Sequence, residues 1–549
     1  MKRNFMKTIF YTFLLVFGIS SCTNLDIKET DSIISEGFQG LADPSSTVDE
    51  IINRMRGHYE NQANKYALDE VTTDEFLIPT RGTDWGDNGR WRNLHNHEWN
   101  EEASDIIDPF NEWNGSQLLA SQVLDSRSSP SATNIGEASF LRAYAMYLVL
   151  DWFGQVPFRD VTLPSSELPA VLTGTDAVNF IIADLDQAIS NLSSLPAGAS
   201  PGIGAGESDR PSKEAAKYLK AKVLLNKGIY DGSGAFESGD MTQVITLVDE
   251  IAGQGYALES MPYYDIFKNT PDSETIWSLG SSVGNRMFNG LHYNSTTIGG
   301  GGWNGFSTLA EFYDLFEGDA NNNRVDLDLT PLDLQEPRRG GVPNAGLPFT
   351  GRDGTTDNGG FEDGSNVGFG FLIGQQYDLD GTALQDRAGA PLAFTRGFVD
   401  GSGTPSLINN NEITGIRLMK YGMRFGGFTG HQPVFRYADA YLMKAEAMWR
   451  NGGDPLTMVN TLRNLRGATP LGSIDGQGLL DERGRELFGE TWRRNDLKRF
   501  GQYLRAWEFK PSSEVGNQAR LLFPIPAQQL LANPNLVQNC GYPGAEPCN

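Results

Sequence analysis

Hydrophobic side chains recur every three or four residues between positions 433 and 450, which is the spacing of one face of an α-helix. The apolar members of this stripe are Val434, Tyr437, Ala438, Tyr441, Leu442, Ala445, Met448 and Trp449. Pro433 suits a first helical turn, and Gly452 with Gly453 ends the run. A second stripe over residues 455–466 follows, so the two segments are predicted to form a helical hairpin.

The same spacing recurs in pairs along the chain. The predicted hairpins are residues 47–67 with 112–125, 134–152 with 175–193, 212–229 with 241–253, and 433–450 with 455–466. Asn134 is predicted to be an N-cap, and Glu137 three residues later completes the pattern of a capping box. Stacked hairpins of this length predict a mainly α fold built on a tetratricopeptide-like helical-hairpin scaffold.

Residues 481–500 are rich in Glu and Arg and are predicted to form one charged helix with internal ion pairs. The ionisable side chains in and near this segment are interpreted as scaffold rather than as reactive groups. They are Arg436, Asp439, Glu446, Arg483, Glu486, Arg493 and Asp496. Trp152, Trp449 and Trp492 lie on predicted helix faces and are assigned to the core.

The amino-acid composition changes between residues 281 and 432, where Gly, Asn and Asp are frequent and only short strand-like runs occur. An insertion of this length in a helical array predicts a second, irregular lobe. Because binding residues are concentrated on loops held by a rigid scaffold, this loop-rich lobe is predicted to bind the ligand.

Two Gly-rich loops combine aromatic rings with hydrogen-bonding side chains. The candidate ligand-binding residues are Asp84, Trp85, Asn88 and Trp91 in the first loop, and His292, Tyr293, Trp303 and Asn304 in the second. A neutral sugar offers flat C–H faces for aromatic rings and a rim of hydroxyls for amide, carboxylate and imidazole groups. The alternative is that these tryptophans only fix their loops to the scaffold.

The N-terminus carries a targeting pattern. Lys2, Arg3 and Lys7 precede an apolar run over residues 8–17, which is too short to span a bilayer. Ile19-Ser20-Ser21-Cys22 is similar to a bacterial lipobox, so residues 1–21 are predicted to be a lipoprotein signal peptide and Cys22 the acylated (palmitate-bearing) residue. Residues 22–46 are predicted to be a tether. The alternative is an ordinary secretory signal.

Charge and motif content exclude several function classes. The net charge of −25 argues against nucleic acid as a partner. Metalloprotease, P-loop and dinucleotide motifs are absent from the sequence, so no enzyme and no cofactor are predicted. Residues 319–323 begin like a calcium loop, but Arg324 stands where Gly is needed and Thr330 where Glu is needed. Calcium therefore stays a weaker alternative.

Two cysteines besides Cys22 lie at the C-terminal end. Cys540 and Cys548 flank a Gly/Pro-rich turn. Outside the cytoplasm they could form a small disulfide loop, and the alternative is two free surface thiols.

Several segments resemble the SusD/RagB family of bacterial surface lipoproteins. Residues 436–447, RYADAYLMKAEA, resemble the signature helix of that family, and residues 81–85 resemble its RGxDW loop. Arg142 and Pro157 stand where the family's "LRAY…YGDVP" pattern has them, and residues 524–539 resemble its closing motif. The matches extend from about residue 71 to 541, in the order of the family.

The resemblance implies three regions and a function. Residues 47–280 would be a SusD-like helical region, 281–432 the loop-rich lobe, and 433–549 the C-terminal SusD/RagB region. The protein would be a lipid-anchored outer-membrane protein on the cell surface. It would bind an oligosaccharide and deliver it to a SusC-like TonB-dependent transporter. The alternatives are a peptide-binding member of the family and a surface glycoside hydrolase.

Overall fold

A computed structural model gives the arrangement of most of the chain. It describes residues 37–199, 210–260, 262–267, 272–282, 290–295, 301–326, 330–332, 334–343, 368–378, 381–421 and 429–548. The predicted signal peptide, Cys22, most of the tether, Gly300 in the second candidate loop and parts of the 281–432 lobe lie outside these residues. Within the described ranges the fold is mainly α, as predicted.

Antiparallel helices form the first half of the chain. They are α1 (Pro44–Glu60), α2 (Arg90–Asn96), α3 (Ser104–Leu124), α4 (Ala132–Phe153), α5 (Gly174–Asn191), α6 (Lys213–Tyr230) and α7 (Ser238–Ala252). Helix α1 packs on α3, α4 on α5, and α6 on α7, which confirms the predicted hairpin partners. A short antiparallel pair, β1 (Gln155–Phe158) with β2 (Ala170–Thr173), links α4 to α5.

Helix α5 shows how the sequence pattern produces the packing. Val178, Ile181, Leu185 and Ala188 are fully buried, at the helical spacing read from the sequence. The start of α4 differs from its prediction. Ser131 is the N-cap, and its hydroxyl and the Asn134 side chain form a reciprocal capping box. The Glu137 carboxylate instead lies 2.9 Å from Arg210.

The second half of the chain mixes short strands and helices. The strands are β3 (Thr275–Ser282), β4 (Arg324–Val325), β5 (Gly340–Pro343), β6 (Phe369–Leu372), β7 (Gly374–Gln375), β8 (Ala393–Phe394), β9 (Arg417–Met419) and β10 (Thr429–Arg436). The helices are α8 (Ala310–Tyr313), α9 (Tyr437–Arg450), α10 (Leu456–Leu465), α11 (Gly476–Leu487), α12 (Arg493–Arg499) and α13 (Ala527–Ala532). Strands β4, β5, β6 and β9 form one sheet, β7 pairs with β8, and β3 pairs with β10.

The predicted helix over 433–450 was wrong at its first turn. Residues up to Arg436 belong to strand β10, which pairs antiparallel with β3, and Pro433 lies opposite Ser278. The Phe435 ring packs 5.2 Å from the ring of Trp277, so burial against the α-helical core favours the extended form here. Helix α9 begins only at Tyr437, and it packs against α7, α10 and α11.

The predicted single helix over 481–500 is two helices, α11 and α12, separated by a bend. Gly489 and Thr491 in the bend have positive φ angles of 70° and 64°. The main-chain N–H groups of these two residues donate to the buried carboxyl groups of Glu75 and Glu70, respectively. Hydrogen bonds from another part of the chain therefore replace the helical hydrogen bonds that the local pattern predicts.

Most ion pairs of this region join different elements rather than lying within one helix. The Glu486 carboxylate of α11 accepts from Arg436 at 2.8 Å, Arg466 at 2.9 Å and Arg338 at 3.1 Å, and all four side chains are fully buried. We name these four residues the Glu486 cluster. The assignment of Glu486 and Arg436 to the scaffold fits this geometry, but the predicted pairing within one helix does not.

Similar buried ion pairs connect the two halves of the chain. Asp439 of α9 accepts from Lys222 of α6 and lies 2.6 Å from Arg483 of α11. Asp151 of α4 lies 2.8 Å from Arg494 of α12. Because a buried charge without its partner is costly, these helices must assemble together.

A repeated tight turn shapes the loop-rich lobe. In the segments 386–390 and 400–404 the main-chain N–H of the first residue, an Asp, donates to the carbonyl oxygen four residues on, at 2.8 and 2.9 Å. The same hydrogen bond joins Asp326 to Thr330 at 3.0 Å and Asp378 to Thr382 at 2.7 Å. Each is flanked by an isolated bridge between its two arms. The described part of the lobe thus contains repeated short hairpins.

The described end of the predicted tether packs on the scaffold. The Leu41 main-chain N–H donates to the Ser128 hydroxyl at 2.9 Å, and Arg127 donates to the Phe38 carbonyl at 2.5 Å. Helix α1 begins at Pro44 rather than at residue 47, capped by the Asp43 side chain. At the other terminus Cys540 and Cys548 form a disulfide. Across the described ranges, no helix has both the length and the apolar character that a membrane crossing requires.

We predict that Glu486→Gln lowers the free energy of unfolding by about 3 kcal/mol, because it leaves buried arginines short of negative charge. Urea unfolding measures this change. Glu50→Gln is the matched control, since Glu50 forms a half-exposed i,i+4 pair with Arg54 and should cost below about 1 kcal/mol. Equal losses in the two variants would contradict the stabilising role of the Glu486 cluster.

A second prediction concerns pH. Burial raises the pKa of Glu75 to about 8, so this carboxyl contributes stability that is fully present below its unfolded pKa and is lost as pH rises through about 8. Relative to Glu75→Gln, the wild type should therefore lose stability between about pH 5 and about pH 8, at up to about 1.4 kcal/mol per pH unit. Unfolding of both proteins across that range measures the difference, and a difference that does not change with pH would refute the prediction.

Candidate functional site

A surface cleft of about 650 Å³ lies where the two candidate loops meet. Its lining residues are Gln62, Thr83, Asp84, Trp85, Asp87, Tyr293, Trp303 and Arg387. Four of the predicted site residues, Asp84, Trp85, Tyr293 and Trp303, therefore lie together although more than 200 positions separate the two loops in sequence. The juxtaposition is a property of the tertiary fold.

Main-chain pairing and one buried arginine hold the two loops together. Leu77 and Ser307 exchange main-chain hydrogen bonds at 2.8 and 2.9 Å. The buried Arg81 guanidinium donates to the Asn304 carbonyl at 2.8 Å and to the Thr414 carbonyl at 2.7 Å. Because Arg81 sits at the start of the first loop, this contact fixes that loop against the second one.

Trp85 forms part of the floor of the cleft. Its indole N–H donates to the Trp303 carbonyl at 2.7 Å, and its ring packs edge-on against Trp91 and Phe306 with centroids 6.0 and 5.8 Å apart. A Cβ at Gly305 would lie only 2.5 Å from the Trp85 ring, so glycine is what allows the ring to lie there. The ring is half-buried and immobilised by its neighbours.

Trp303 presents the most accessible ring of the cleft. Its side chain is 63% exposed. The flat face of an exposed indole is available for stacking with a ligand. The main chain of Trp303 is nevertheless held by Trp85, so the ring stands on a fixed base.

Arg387, Tyr293 and Asp84 form the polar wall. The guanidinium carbon of Arg387 lies 3.9 Å from the centroid of the Tyr293 ring. The Tyr293 hydroxyl donates to Asp84 Oδ2, and an Arg387 nitrogen lies 3.4 Å from the same oxygen. Burial and the hydrogen bond to Asp84 raise the pKa of the Tyr293 phenol, so it remains a neutral donor.

Glu412 binds Arg387 on the side away from the cleft, and His292 in turn contacts Glu412. The Arg387 side chain pairs with Glu412 Oε1, and its main-chain N–H donates to Glu412 Oε2 at 3.0 Å. His292 Nε2 lies 3.0 Å from the same Glu412 oxygen, and its Nδ1 accepts from the Asn294 main chain. Burial lowers the pKa of His292 to about 4, so the imidazole is neutral at pH 7 and donates to Glu412 from Nε2.

Four predicted site residues do not line the cleft. Trp91, His292 and Asn304 are buried, whereas the prediction placed them at the binding surface. Asn88 is exposed but lies in a tight turn outside the lining. These three side chains are buried because they pack against or hydrogen-bond to the residues that hold the lining in place.

The supporting contacts of the buried residues are specific. Trp91 packs under Trp85 and donates to Asp87 at 2.9 Å. The Asn304 side chain accepts from Arg417 at 2.6 Å and donates to the Glu412 carbonyl at 3.0 Å. Both residues are thus part of the framework that holds the lining.

In the loop at 319–323, the candidate for calcium, main-chain carbonyl groups already accept hydrogen bonds from the protein. Arg339 donates to the main-chain oxygen of Asp319 and, at 2.9 Å, to that of Asn322. The Asp319 carboxylate accepts from the main-chain N–H groups of Asn321 and Asn322. Within the described ranges, no group of three or more His, Cys, Asp or Glu side chains has the geometry of a metal site.

Comparison with known proteins identifies the family. The sequence pattern of the SusD family matches residues 273–542. The chain is 25% identical to Starch-binding protein SusD of Bacteroides thetaiotaomicron, over 99% of this chain and 100% of that protein. The chain belongs to the SusD family. It is also 26% identical to SusD-like protein P25 of Formosa agariphila, over 74% of this chain and 73% of the relative.

The fold of this SusD-family chain matches a solved SusD-like structure. The crystal structure of a SusD-like protein from Bacteroides fragilis NCTC 9343 superposes with a TM-score of 0.64 at 19% identity. The match covers 91% of this chain and 97% of the other. The SusD-like helical-hairpin fold expected from the sequence resemblance is therefore confirmed.

Sequence reasoning missed the polar residues that complete the cleft of this SusD-family chain. Arg387 and Thr83 line it without having been singled out, and Glu412 fixes Arg387. The available signal was the repeated Asp turn, because Arg387 directly follows the Asp that begins the segment 386–390. A charged residue at the tip of such a turn is held at the surface of the lobe.

We predict that Gly305→Ala disturbs the cleft, because the added methyl group overlaps the Trp85 ring. Overpacking of this kind should lower the free energy of unfolding by about 1–3 kcal/mol. Gly397→Ala is the control in the same lobe, since nothing lies within 4 Å of a Cβ there. Thermal unfolding of both variants measures the effect, and an unchanged melting temperature for Gly305→Ala would show that Trp85 does not need this space.

Proposed function

We propose that the cleft binds an oligosaccharide at the cell surface, and that the protein delivers this ligand to a SusC-like TonB-dependent outer-membrane transporter. The observation that carries the proposal is the exposed Trp303 ring beside Trp85 and Tyr293 in a cleft edged by polar side chains. No covalent chemistry is required for this function.

The chemistry of the lining suits a sugar. Pyranose rings present C–H faces that stack on indole and phenol rings, and Trp303 offers an accessible face of this kind. Hydroxyl groups on the sugar rim need partners that accept and donate, which Asp84, Asp87 and Thr83 supply. A few polar groups around an aromatic platform are the usual composition of a site for a small ligand.

The relatives support the same ligand class. One relative, from Bacteroides thetaiotaomicron, is named for binding starch, and its similarity extends over almost all of this chain. Delivery to a transporter and lipid anchoring through Cys22 are proposed from the sequence resemblance. In this proposal the acyl chain holds the protein at the outer membrane while the cleft collects the ligand.

The arrangement of carboxylates favours binding over hydrolysis. A glycosidase needs two carboxyl groups on opposite sides of the scissile bond. Asp84 and Asp87 lie three positions apart on one loop. Asp84 accepts from Tyr293, and Asp87 accepts from Trp91 at 2.9 Å, so both carboxylates are held as hydrogen-bond acceptors on that loop.

Peptide binding is the second candidate function. Its support is the presence of charged side chains, Asp84, Asp87 and Arg387, in the lining. Arg387, however, is already paired with Glu412, which leaves it less able to anchor a peptide carboxylate.

We predict that Trp303→Ala weakens binding of the recognised oligosaccharide by at least about tenfold, which corresponds to about 1.4 kcal/mol, because the stacking platform is lost. Isothermal titration of the leaderless protein with Cys22 removed, against neutral and acidic oligosaccharides, measures the affinity. Since the ring is exposed, the unfolding free energy should change little.

Two controls make this experiment decisive. Trp303→Phe keeps a flat ring and should retain most of the affinity. Leu531→Ala truncates another exposed apolar side chain, 87% exposed and outside the lining, and should have no effect. Chromatography of the titrated sugar reports cleavage. Absence of binding to every glycan would refute the proposal, peptide binding would favour the second candidate, and released products would indicate hydrolysis.

A further inference from the structure

The cleft carries more negative than positive charge. Among the described lining residues, Asp84 and Asp87 are acidic and Arg387 is basic. Glu412 adds a third carboxylate immediately behind the lining, in contact with Arg387. Asp84 and Glu412 therefore both contact the guanidinium of Arg387, and Asp87 adds a further carboxylate to the lining.

Arg387 is not an open anchor for an anion. Its Nε and its main-chain N–H both donate to Glu412, and one terminal nitrogen lies 3.4 Å from Asp84. The flat face of the guanidinium is stacked on Tyr293 at 3.9 Å. An incoming carboxylate or sulfate would therefore compete with Glu412 and Asp84 for a bidentate interaction with this guanidinium.

Among the residues that the structure describes, Arg387 is the one cation that lines the cleft. His292 is neutral at pH 7, because burial lowers its pKa to about 4. Arg81 and Arg417 keep their positive charge beneath the cleft, but both are buried and donate to main-chain carbonyls of the framework, so a ligand cannot contact them directly. An anionic ligand would thus lose its hydration beside Asp84 and Asp87 and would meet, among the described lining residues, only a guanidinium that is already paired.

We infer that the cleft selects glycans by charge, accepting uncharged oligosaccharides and rejecting those that carry carboxylate or sulfate groups, with Asp84 and Asp87 as the residues that set this specificity. The inference rests on the proposed glycan-binding function and names its substrate class. The net charge of −25 on the chain acts in the same direction, because its field repels anionic polysaccharides at longer range.

The test uses matched ligands that differ only in charge. A neutral oligosaccharide found to bind is oxidised at its C6 hydroxyl groups, which converts them to carboxylates, and both forms are titrated into the same protein. The wild type should bind the oxidised form at least about tenfold more weakly than the neutral form at about 0.05 M salt. This difference in affinity should become smaller at about 0.5 M salt, because exposed charges are screened.

A double variant tests the two aspartates. Asp84→Asn with Asp87→Asn keeps acceptors for Tyr293 and Trp91 and removes both charges. In this variant the affinities for the neutral and the oxidised ligand should differ by less than about threefold. The control, Asp176→Asn with Asp454→Asn, removes two exposed charges outside the lining. It should keep the wild-type difference in affinity between the two ligands.

Each result decides between explanations. Equal or tighter binding of the oxidised sugar to the wild type would overturn the inference. A difference in affinity that persists in the double variant and at high salt would assign discrimination to shape rather than charge, and would overturn it too. Binding of only acidic glycans would refute this inference and leave glycan binding intact, whereas binding of no glycan at all would refute both.

Discussion

The constraint on which the structure depends is that each buried charge must meet its partner. Glu486 lies fully buried among Arg436, Arg466 and Arg338, which come from a strand end, a helix end and the loop-rich lobe. Any one of these groups left unpaired in the interior would cost several kcal/mol. The elements that carry them can therefore adopt only the arrangement in which all are satisfied together, and this arrangement makes one body of the helical scaffold and the described part of the lobe.

The same kind of interaction positions the cleft. Asp74 pairs with Arg493 of α12 at 2.6 Å, and three residues later Leu77 pairs with Ser307 of the lobe. The loop that carries Asp84 and Trp85 thus leaves the scaffold at a fixed point. Arg81 then fixes this loop to the lobe through main-chain carbonyls. The rigid base explains how an exposed ring such as Trp303 can be held ready for a ligand, with little ordering required on binding.

Local pattern and tertiary context disagree at informative places. The stripe beginning at Val434 has helical spacing, yet the first four residues of the predicted helix form strand β10, because pairing with β3 and burial of Phe435 favour the extended chain. The segment 481–500 has helical composition throughout. It bends at Gly489 and Thr491, because Glu75 and Glu70 supply acceptors from far away in sequence. In both cases a long-range hydrogen-bond partner overrides a local preference.

The sequence alone predicted the helical hairpins and the residue types of the site, because periodicity and aromatic-polar composition are local properties. The family was indicated by the resemblance of its short motifs. Only the tertiary structure decided which candidates share one cleft. Trp91, His292 and Asn304 have the same chemistry as lining residues, but their packing turns them inward, while Arg387 reaches the lining from a distant turn. Which side chain faces a ligand depends on contacts between segments that are distant in sequence, and no local pattern records these contacts.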